Sequence, residues 1–515
     1  MKTWWWMVPL LLVVTAITAS KINADAIWLD EERTYAKVQG GRYGQGDDIS
    51  AIFNYTILTA DSWPPLYNLT FMGWGHAAGW SPYAMRAMAL LWGVLSLAMV
   101  YRAGASIGGS DGVGLMAAVI TGTSFFYLYY FHEMRGYTMA VFFALLGVTM
   151  YWHLLQGRGG RPYEALLVFS GVALLYSHYI VALVLVGIGL YHLLVARGNP
   201  AWNRLFFLLV VTALLFVPWG LVMVRVVSTE LAASRSLPPT DIFVGLLYGV
   251  GNGLFIWMPT LVLLATLRVK TPGGRYLMFL AGTYIVVALL ANVPLDYLLH
   301  IRHIMLWVPL LALVAATALV TLPRWVTTTL VGIWVLAGLW GGLNLSAMTR
   351  LPNHEQLIHG EIMQTAVDLA QTQIHDDDVL VFYVTDDLER EWLHEHTQQH
   401  YLGDPPFDFA NLWLMRDVPT TYDQTLGILT VAPSPEGTYA ERVTEYVDGA
   451  PRVWLLKDLT IPQVDSLDEF QSAMLELGYG ICATNTIWET QIVEVIVWAE
   501  DCMAAIENGQ PQGLD

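Results

Sequence analysis

Three loops in the first 350 residues hold charged side chains of the types that do acid–base and anion chemistry. Asp30 and Glu31 lie in the first loop, Glu133 and Arg135 in the second, and Arg302 in the third. A carboxylate within reach of a hydroxyl can take its proton as the oxygen attacks, and a guanidinium can bind a phosphate through two parallel hydrogen bonds. From the residues alone, two plainer interpretations stay open: a solvated helix start for the first loop and an ion pair at a tight turn for the second.

The composition places these loops in a membrane protein. Of the 515 residues, 55% are apolar and 13% are charged, and the mean hydropathy is +0.49. Soluble domains carry about 25% charged residues, so a soluble globular enzyme, a disordered chain and a coiled coil are poor fits. The net charge of −18 argues against nucleic acid as a partner.

The charge divides the chain into two parts. Residues 1–350 carry a net charge of +7, and residues 351–515 carry −25. We therefore predict a multipass transmembrane domain over 1–349, with a first external loop over 21–81, and an acidic α/β domain over 350–515.

Apolar runs of membrane-spanning length recur through the first part. The run 163–196 would be about 51 Å long as one helix, well beyond the roughly 30 Å hydrocarbon core, and both of its flanks are basic. A hairpin that turns near Ser177, His178 and Tyr179 satisfies both facts. The predicted fold is an α-helical polytopic membrane protein of about eleven spans with a C-terminal α/β domain. The spans are 4–20, 82–103, 111–130, 136–155, 163–178, 179–196, 205–224, 241–267, 275–292, 303–321 and 325–347.

The basic residues of the short loops set the orientation. Their side is assigned to the cytoplasm, and the opposite side receives the loop 21–81, the loop 293–302 and the acidic tail. We predict a multipass protein of the inner (plasma) membrane, in the cell envelope, with its C-terminal domain outside the cytoplasm. A cleaved signal peptide over the first segment, the alternative, gives the same sidedness. The cytoplasmic set comprises Lys2, Arg102, Arg158, Arg161, Arg197, Arg204, Arg268, Lys270, Arg275 and Arg324.

Three short motifs follow one another on the external side. Asp30 and Glu31 come after the first span, Pro64-Pro65-Leu66-Tyr67 leads into the span that carries Arg86, and Glu133-Met134-Arg135-Gly136-Tyr137 joins the third and fourth spans. In this order and sidedness the motifs resemble the multipass GT-C glycosyltransferases. The nearest kind is glycosyltransferase family 39, the protein O-mannosyltransferase and aminoarabinose transferase type. The resemblance covers the layout of about residues 1–350.

The resemblance implies that a sugar passes, with inversion, from a polyprenyl-phosphate carrier to a hydroxyl of a protein, lipid or glycan outside the cytoplasm. Asp30 matches the residue that activates the acceptor, with Glu31 beside it, and Glu133 is the third catalytic candidate. The transition state would be oxocarbenium-like, and the leaving phosphate needs positive charge rather than a proton. The candidate phosphate-binding residues on the external face are Arg33, Arg86, Arg135 and Arg302.

The chain departs from the family pattern at the residue before the Pro-Pro pair. Family members commonly have His or Lys there, and this chain has Trp63. The change leaves the acceptor class and any divalent metal open. His300 and His303 could bind a metal, with plain surface histidines as the alternative, and His178 also fits a structural role. The candidate substrate contacts are Tyr67, Tyr137, His178 and His303.

The acidic part has short apolar runs that are typical of buried strands, and no Gly-rich phosphate loop follows them. Asp376–Asp378 lacks the alternating spacing of a calcium loop, so we interpret it as a helix-to-strand turn. The spacing of Cys482 and Cys502 alone does not establish a disulfide. The predicted strands are 379–384, 426–432, 452–456, 479–486 and 491–499.

The main alternative function is a transporter or flippase of lipid-linked sugars. Such proteins carry charged or broken helices at mid-membrane and paired repeats, and the sequence shows neither a clear internal repeat nor a charge in mid-span. A non-catalytic anchor for the acidic tail is a third hypothesis. It predicts that Asp30→Asn leaves function intact.

Overall fold

The computed structural model divides the chain into two compact units. The first comprises Met1–Asn23 and Asp47–Asn353, and the second comprises Ala24–Gly46 and His354–Asp515. The segment 24–46 is therefore grouped with the acidic tail rather than with the apolar helices. The structure describes residues 3–22, 27, 30–31, 34, 38, 49, 64–230, 237–295, 297–298, 300–343, 351, 355–383, 402, 407–411, 420–423, 428–431, 439–447, 449–458, 465–487 and 493–502.

The first unit is built from apolar helices. Every one of the predicted spans contains helix, and two of them are broken. By length and composition, four of the described helices can cross a membrane, namely Pro82–Ile107, Tyr137–Leu155, Trp202–Val224 and Pro272–Pro294. The total number of crossings stays a prediction. The helices are α1 (Met7–Ser20), α2 (Pro65–Ala78), α3 (Pro82–Ile107), α4 (Asp111–Gly122), α5 (Phe125–Tyr129), α6 (Tyr137–Leu155), α7 (Arg161–Leu175), α8 (Tyr179–Leu194), α9 (Trp202–Glu230), α10 (Pro239–Gly245), α11 (Trp257–Arg268), α12 (Pro272–Leu295), α13 (Trp307–Leu319) and α14 (Arg324–Leu343).

The third predicted span is broken between α4 and α5, where the side chain of Asn252 replaces helical hydrogen bonds. Its Nδ2 donates to the carbonyl oxygens of Thr123 (3.2 Å) and Trp334 (2.9 Å). Its Oδ1 accepts from the N–H of Phe125 (3.0 Å), the first residue of α5. A Cβ on Gly338 would collide with the Thr123 carbonyl, so the close approach of α14 to the break at this position requires a glycine. The joint between α4 and α5 is therefore held from outside the span.

The eighth predicted span is broken between a π-helical turn (Leu246–Val250) and α11. The break contains Gly251, Asn252 and Gly253. Asn252 has a φ of +58° and Gly253 a φ of +79°. Backbone in this region is favourable for glycine and tolerated by asparagine, so this Gly-Asn-Gly turn ends the helix. The same turn presents Asn252 to the first break.

The hairpin predicted within the run 163–196 is confirmed. α7 ends at Leu175, α8 begins at Tyr179, and His178 is the N-cap residue of α8. The Nδ1 of His178 accepts a hydrogen bond from the N–H of Val181 (3.4 Å). A capping side chain satisfies one of the backbone donors that a helix start leaves unpaired. The histidine therefore has a structural role at this turn.

The second unit has the mixture of strands and helices that the sequence predicts for an α/β domain. The predicted strands are present with ends shifted by one or two residues, and two further strands precede β4. The elements are α15 (Glu355–Thr372), β1 (Val379–Tyr383), β2 (Asp408–Asn411), β3 (Thr420–Asp423), β4 (Ile428–Val431), α16 (Tyr439–Val447), β5 (Val453–Asp458), α17 (Asp465–Glu476), β6 (Gly480–Ile487) and β7 (Val493–Ala499).

The main sheet of this unit has five strands in the order β2-β1-β5-β7-β6. β1 is parallel to β2 and β5, whereas β7 is antiparallel to β5 and β6. Successive side chains of β1 enter two different apolar clusters, with Val379, Val381 and Tyr383 in one and Leu380 and Phe382 in the other. Both faces of the sheet are therefore buried, as is usual where parallel strands pair.

A buried ion pair joins the chain before β1 to the chain before β5. Arg452 donates to Asp378 through Nε (3.0 Å) and Nη2 (2.7 Å). The same carboxylate accepts from Nε1 of Trp454 (3.1 Å) and from the backbone N–H of His375 (2.9 Å). Asp378 thus completes the turn between α15 and β1, which confirms the interpretation of Asp376–Asp378 as a helix-to-strand turn.

A disulfide lies at the β6 edge of the sheet. Cys482 of β6 is bonded to Cys502, which follows β7. The antiparallel pair of β6 and β7 is therefore covalently linked at the point where the last strand ends.

Candidate active site

The Glu133 segment, residues 125–138, runs from the start of α5 into the start of α6 and carries three of the candidate site residues, Glu133, Arg135 and Tyr137. The plainer interpretation of this segment is an ion pair at a turn on the membrane surface. The surface position is wrong, because every residue from Thr121 to Val141 is buried, and the exposed fraction is 2% for Glu133 and 4% for Arg135. The ion pair itself stays an open interpretation. Charged side chains are costly to bury unless other groups compensate them. The structure therefore places this turn in the interior of the first unit.

Helix α3 holds this segment along its length. Each contact pairs one residue of α3 with one residue of the segment. The segment is antiparallel to α3, because residue numbers fall along the helix as they rise along the segment. The hydroxyls of Ser96 and Tyr127 share a hydrogen bond (2.7 Å). The Phe131 ring packs on Gly93, where a Cβ would lie 2.6 Å from the ring. Oγ1 of Thr138 donates a hydrogen bond to the carbonyl of Ala89 (3.1 Å).

Arg86 lies on α3, one helical turn before Ala89. Its Nη1 donates to the carbonyl oxygen of Ile22 (3.0 Å), just beyond α1, and only 1% of its surface is exposed. Because Ala89 bonds to Thr138, the residue after Tyr137, the Arg86 guanidinium lies at the same end of α3 as the Glu133 segment.

Helix α2 supplies Tyr67. The Pro64-Pro65 pair starts this helix with an extended residue followed by a proline in its first turn, where a missing N–H costs nothing. The N–H of Leu66 donates to the carbonyl of Tyr176 (2.9 Å), which ties the start of α2 to the turn before α8. The ring of Tyr67 packs on Gly136 and lies against Phe71, with ring centroids 5.6 Å apart.

The ring of Tyr137 lies between two histidines from other elements. Its centroid is 5.0 Å from that of His178 and 6.4 Å from that of His303. Burial and, to a smaller extent, the positive charges of Arg135 and Arg302 together lower the pKa of His178 from its ordinary value of 6.5 to about 3. Both guanidinium groups therefore lie within electrostatic reach of His178.

A short 3₁₀ turn over Ile301–Ile304 presents Arg302 and His303. The exposed fraction is 3% for Arg302 and 8% for His303. The loop before this turn is fixed by Leu298, whose N–H donates to Oδ1 of Asn292 (2.7 Å). His300 and His303 have ring centroids 5.7 Å apart.

The first unit thus gathers charged side chains from three separate stretches of chain. Among them the positive charges of Arg86, Arg135 and Arg302 outnumber the single negative charge of Glu133. Such an arrangement favours an anion, because buried guanidinium groups gain most from a partner that is also shielded from water. Tyr67, Tyr137, His178 and His303 lie on or against the same stretches of chain. Their contact with a substrate stays a prediction.

Two other candidates belong to the second unit. Asp30 and Glu31 are helical, Oγ1 of Thr34 donates to the carbonyl of Asp30 (2.9 Å), and Glu31 is fully buried. Their part in the site stays a prediction. Arg33 and Trp63 lie outside the described residues.

A metal site is not evident in the described part of the chain. No group of three or more His, Cys, Asp or Glu side chains there could hold a metal ion. The pair His300 and His303 would need further ligands from elsewhere.

Sequence reasoning missed the residues that fix the site from a distance. Asn252 and Ser96 are polar side chains within predicted spans, and their partners are far away in sequence. A signal for Asn252 was present, since Gly-Asn-Gly is a turn sequence inside the apolar run 241–267. No comparable signal marks Ser96.

Comparison with known proteins supports the architecture. No protein-family model and no curated protein matches this sequence. Among solved structures, ArnT from Cupriavidus metallidurans in the apo state has a TM-score of 0.55 at 15% identity, over 98% of this chain and 99% of that chain.

The chain has the fold of ArnT. A second structure of ArnT, bound to undecaprenyl phosphate, has a TM-score of 0.54 at 15% identity, over 96% of this chain and 98% of ArnT. ArnT is an aminoarabinose transferase and a GT-C glycosyltransferase. The GT-C architecture implied by the sequence resemblance is therefore confirmed at the level of the fold.

Proposed function

We propose that this chain is a membrane glycosyltransferase that moves a sugar, with inversion, from a polyprenyl-phosphate donor to an acceptor hydroxyl outside the cytoplasm. The observation that carries the proposal is the burial of Arg86, Arg135 and Arg302 around the Glu133 segment. The fold supports it, because ArnT has been solved with undecaprenyl phosphate bound.

In the proposed reaction, the acceptor oxygen attacks the anomeric carbon of the donor sugar. A new carbon–oxygen bond forms, the bond from that carbon to the phosphate oxygen breaks, and its electron pair stays on the phosphate. The proton of the acceptor hydroxyl passes to a carboxylate, for which the candidates are Asp30, Glu31 and Glu133. The lipid phosphate leaves as an anion, so it needs no proton.

The buried arginines have the task of stabilising the leaving group. A phosphodiester carries one negative charge, and the released monoester carries up to two, so negative charge grows on the phosphate as the bond breaks. Fixed positive groups in a site closed to water favour that change strongly. We assign this role to Arg86, Arg135 and Arg302, with Arg33 as a further candidate.

The remaining candidates would contact the substrates. Tyr67, Tyr137, His178 and His303 offer hydroxyl and imidazole groups for hydrogen bonds and ring faces for the sugar. The acceptor is a protein, lipid or glycan.

The disulfide supports an external location for the second unit. Disulfides persist in oxidising compartments and are rare in the cytosol, and Cys482 and Cys502 are bonded. We propose that residues 1–349 lie in the inner (plasma) membrane and that residues 350–515 form an acidic domain outside the cytoplasm.

One observation favours the transporter alternative. Discontinuous helices at mid-membrane are common in transporters, and the third and eighth predicted spans are broken. In this chain, however, the polar groups of the first break are bonded by Asn252, so they are engaged within the protein.

A direct test supplies purified protein in lipid nanodiscs with a panel of polyprenyl-phosphate sugars and measures sugar transfer and release. We expect turnover with at least one donor, and a loss of about a hundredfold or more in Glu133→Gln or Asp30→Asn, as for removal of an acid–base group. Glu164→Gln is the matched control. Glu164 of α7 forms an ion pair with Arg204 of α9, and neither residue is a site candidate.

Equal turnover in the wild type and both site variants would contradict the site assignment. Absence of turnover with every donor, together with movement of a lipid-linked sugar across sealed vesicles, would establish the transporter instead.

A further inference from the structure

Two short loops lie at the ends of α6 and α8 that point away from the candidate site. Tyr137 begins α6 and His178 precedes α8, whereas residues 156–160 follow α6 and residues 195–201 follow α8. α6 has 19 residues and is apolar enough to cross a membrane. A helix of this length spans about 28 Å, close to the roughly 30 Å hydrocarbon core. The two loops therefore belong to the opposite membrane face from the candidate site.

The side chain of Asn199 joins the two loops. Its Nδ2 donates to the carbonyl oxygen of Leu155, the last residue of α6 (2.8 Å). Its Oδ1 accepts from the N–H of Ala201 in its own loop (2.8 Å). One amide thus fixes the second loop against the start of the first.

The backbone of the first loop is fixed by the end of α6. The N–H of Gly157 donates to the carbonyl of Leu154 (3.0 Å), and the N–H of Arg158 donates to that of His153 (2.9 Å). Gly157 has a φ of +67°. This pair of bonds around a left-handed glycine is the Schellman arrangement that ends many helices. It sets the position of the Arg158 backbone relative to α6.

Three exposed arginines lie on this pair of loops. Arg158 and Arg197 belong to the loops, and Arg161 is the first residue of α7. We call these three residues the arginine surface. The nearby Glu164 pairs with Arg204 instead. Within the described part of the chain, none of the three arginines forms an ion pair with a carboxylate.

Exposed apolar side chains adjoin the arginine surface. Leu194 and Val195 come just before Arg197 and are 63% and 55% exposed. Phe207, in the second turn of α9, is 64% exposed. A phospholipid presents a charged headgroup next to apolar chains, whereas a soluble anion would use the charges alone. The combination on these loops matches the lipid.

We propose that the arginine surface binds the headgroup of an anionic phospholipid from the adjacent leaflet, with its acyl chains against the exposed side chains of Leu194 and Phe207. The phosphate accepts hydrogen bonds from the guanidinium groups, which are well suited to it. Basic sites between membrane helices are known to hold anionic headgroups. This inference goes beyond the proposed function and does not depend on sugar transfer.

The test titrates the purified protein in detergent with phosphatidylglycerol, which is anionic, or with phosphatidylcholine of the same acyl chains, which has no net charge. Native mass spectrometry measures the lipid that stays bound. We expect phosphatidylglycerol to bind at least about tenfold more tightly than phosphatidylcholine. Arg158→Gln, Arg161→Gln and Arg197→Gln should each weaken its binding by about fivefold. Arg324→Gln, at the exposed start of α14, is the matched control.

Asn199→Ala separates a built site from a general attraction between charges. The change removes the bond between the two loops and leaves the net charge as it is, so a general attraction would not respond to it. We expect binding of phosphatidylglycerol to be about three- to tenfold weaker in Asn199→Ala. Asn203→Ala, at an exposed position of α9, should bind like the wild type. Thermal unfolding shows that each variant is folded.

Several results would overturn the inference. They are equal affinity for the two lipids, equal losses in Arg161→Gln and Arg324→Gln, and unchanged binding in a folded Asn199→Ala variant. Displacement of the bound lipid by inorganic phosphate, but not by chloride at the same ionic strength, would assign the arginine surface to a soluble anion instead. Because no sugar donor is present in these measurements, their outcome is separate from that of the transfer assay.

Discussion

The ring of Tyr67 packs directly on the backbone of Gly136, so that a Cβ at Gly136 would lie 3.1 Å from Cγ of the tyrosine. This distance is shorter than ordinary van der Waals contact between carbon atoms. Tyr67 lies on the helix that follows the Pro-Pro pair, and Gly136 separates Arg135 from Tyr137. The contact therefore sets the spacing between α2 and the charged segment.

The first prediction follows from this contact. Gly136→Ala should displace Tyr67 or the Arg135 backbone by a few tenths of an ångström, with a loss of about 1–3 kcal/mol in unfolding free energy and reduced transfer activity. Gly73→Ala is the control, because Gly73 lies on the same helix as Tyr67 and nothing lies within 4 Å of a Cβ there. It should leave activity unchanged and increase stability slightly. Equal behaviour of the two variants would contradict the packing argument.

The second prediction concerns the arginines. Arg302→Gln removes a buried positive charge and should raise the KM for the donor by at least about tenfold, whereas Arg302→Lys keeps the charge but loses the planar fork and should recover part of the affinity. The measurement is steady-state transfer at varied donor concentration. Arg324→Gln, at an exposed position, should match the wild type. A KM for Arg302→Gln equal to that of the wild type would exclude a role in phosphate binding.

The third prediction concerns pH. The pKa of His178 is about 3 in the folded chain against an ordinary 6.5. Between these values the unfolded chain binds a proton at this residue and the folded chain does not, so stability falls as the pH is lowered. The fall is at most about 1.4 kcal/mol per pH unit.

His178→Asn removes this contribution without touching the acidic residues of the second unit. We expect the unfolding midpoint of the wild type to drop more than that of His178→Asn when the pH is lowered from about 6 to about 4. Parallel curves for the two proteins would show that His178 is not held neutral by the fold.

The fourth prediction tests the joint between α4 and α5. Asn252→Ala removes three hydrogen bonds from a buried position, and the partners it leaves unpaired should reduce the unfolding free energy by about 2–4 kcal/mol. Because α5 is the first part of the Glu133 segment, transfer activity should fall as well. Asn203→Ala, at an exposed position of α9, is the control, and stability equal to that of the control would contradict the assignment.

The fifth prediction concerns the second unit. Asp378→Asn leaves the buried Arg452 without its ion pair and should destabilise this unit by about 3–5 kcal/mol. Limited proteolysis, followed by identification of the cleavage sites, should then show cutting within 379–458 before any cutting in the first unit. Asp376→Asn, exposed in the same turn, should be cut no faster than the wild type.

Much of the fold follows from local sequence signals. The run 163–196 had to fold back because of its length, and the turn occurs at His178 as predicted. The strands of the second unit also appear where short apolar runs stand between polar segments, since a strand buried on both faces needs no alternation. The order of the charged motifs was enough to imply the GT-C architecture.

Contacts between residues that are far apart in the chain could not be predicted from the sequence. The break between α4 and α5 depends on Asn252, more than a hundred residues away, and on the close approach of Gly338. The turn that carries Glu133 looked like surface chain because it is charged, yet it is buried under other elements of the first unit. Local composition cannot report such partners.

The anchoring of the Glu133 segment has a consequence for how the sequence can vary. Phe125 is bonded at the start of the segment, Tyr127 and Phe131 are held by α3 in its middle, and Thr138 is bonded at its end. Because both ends and the middle of the segment are attached, the number of residues between the attachment points is as constrained as the identity of the attached residues. Insertions and deletions should therefore be absent from this stretch in functional relatives, even where its side chains differ.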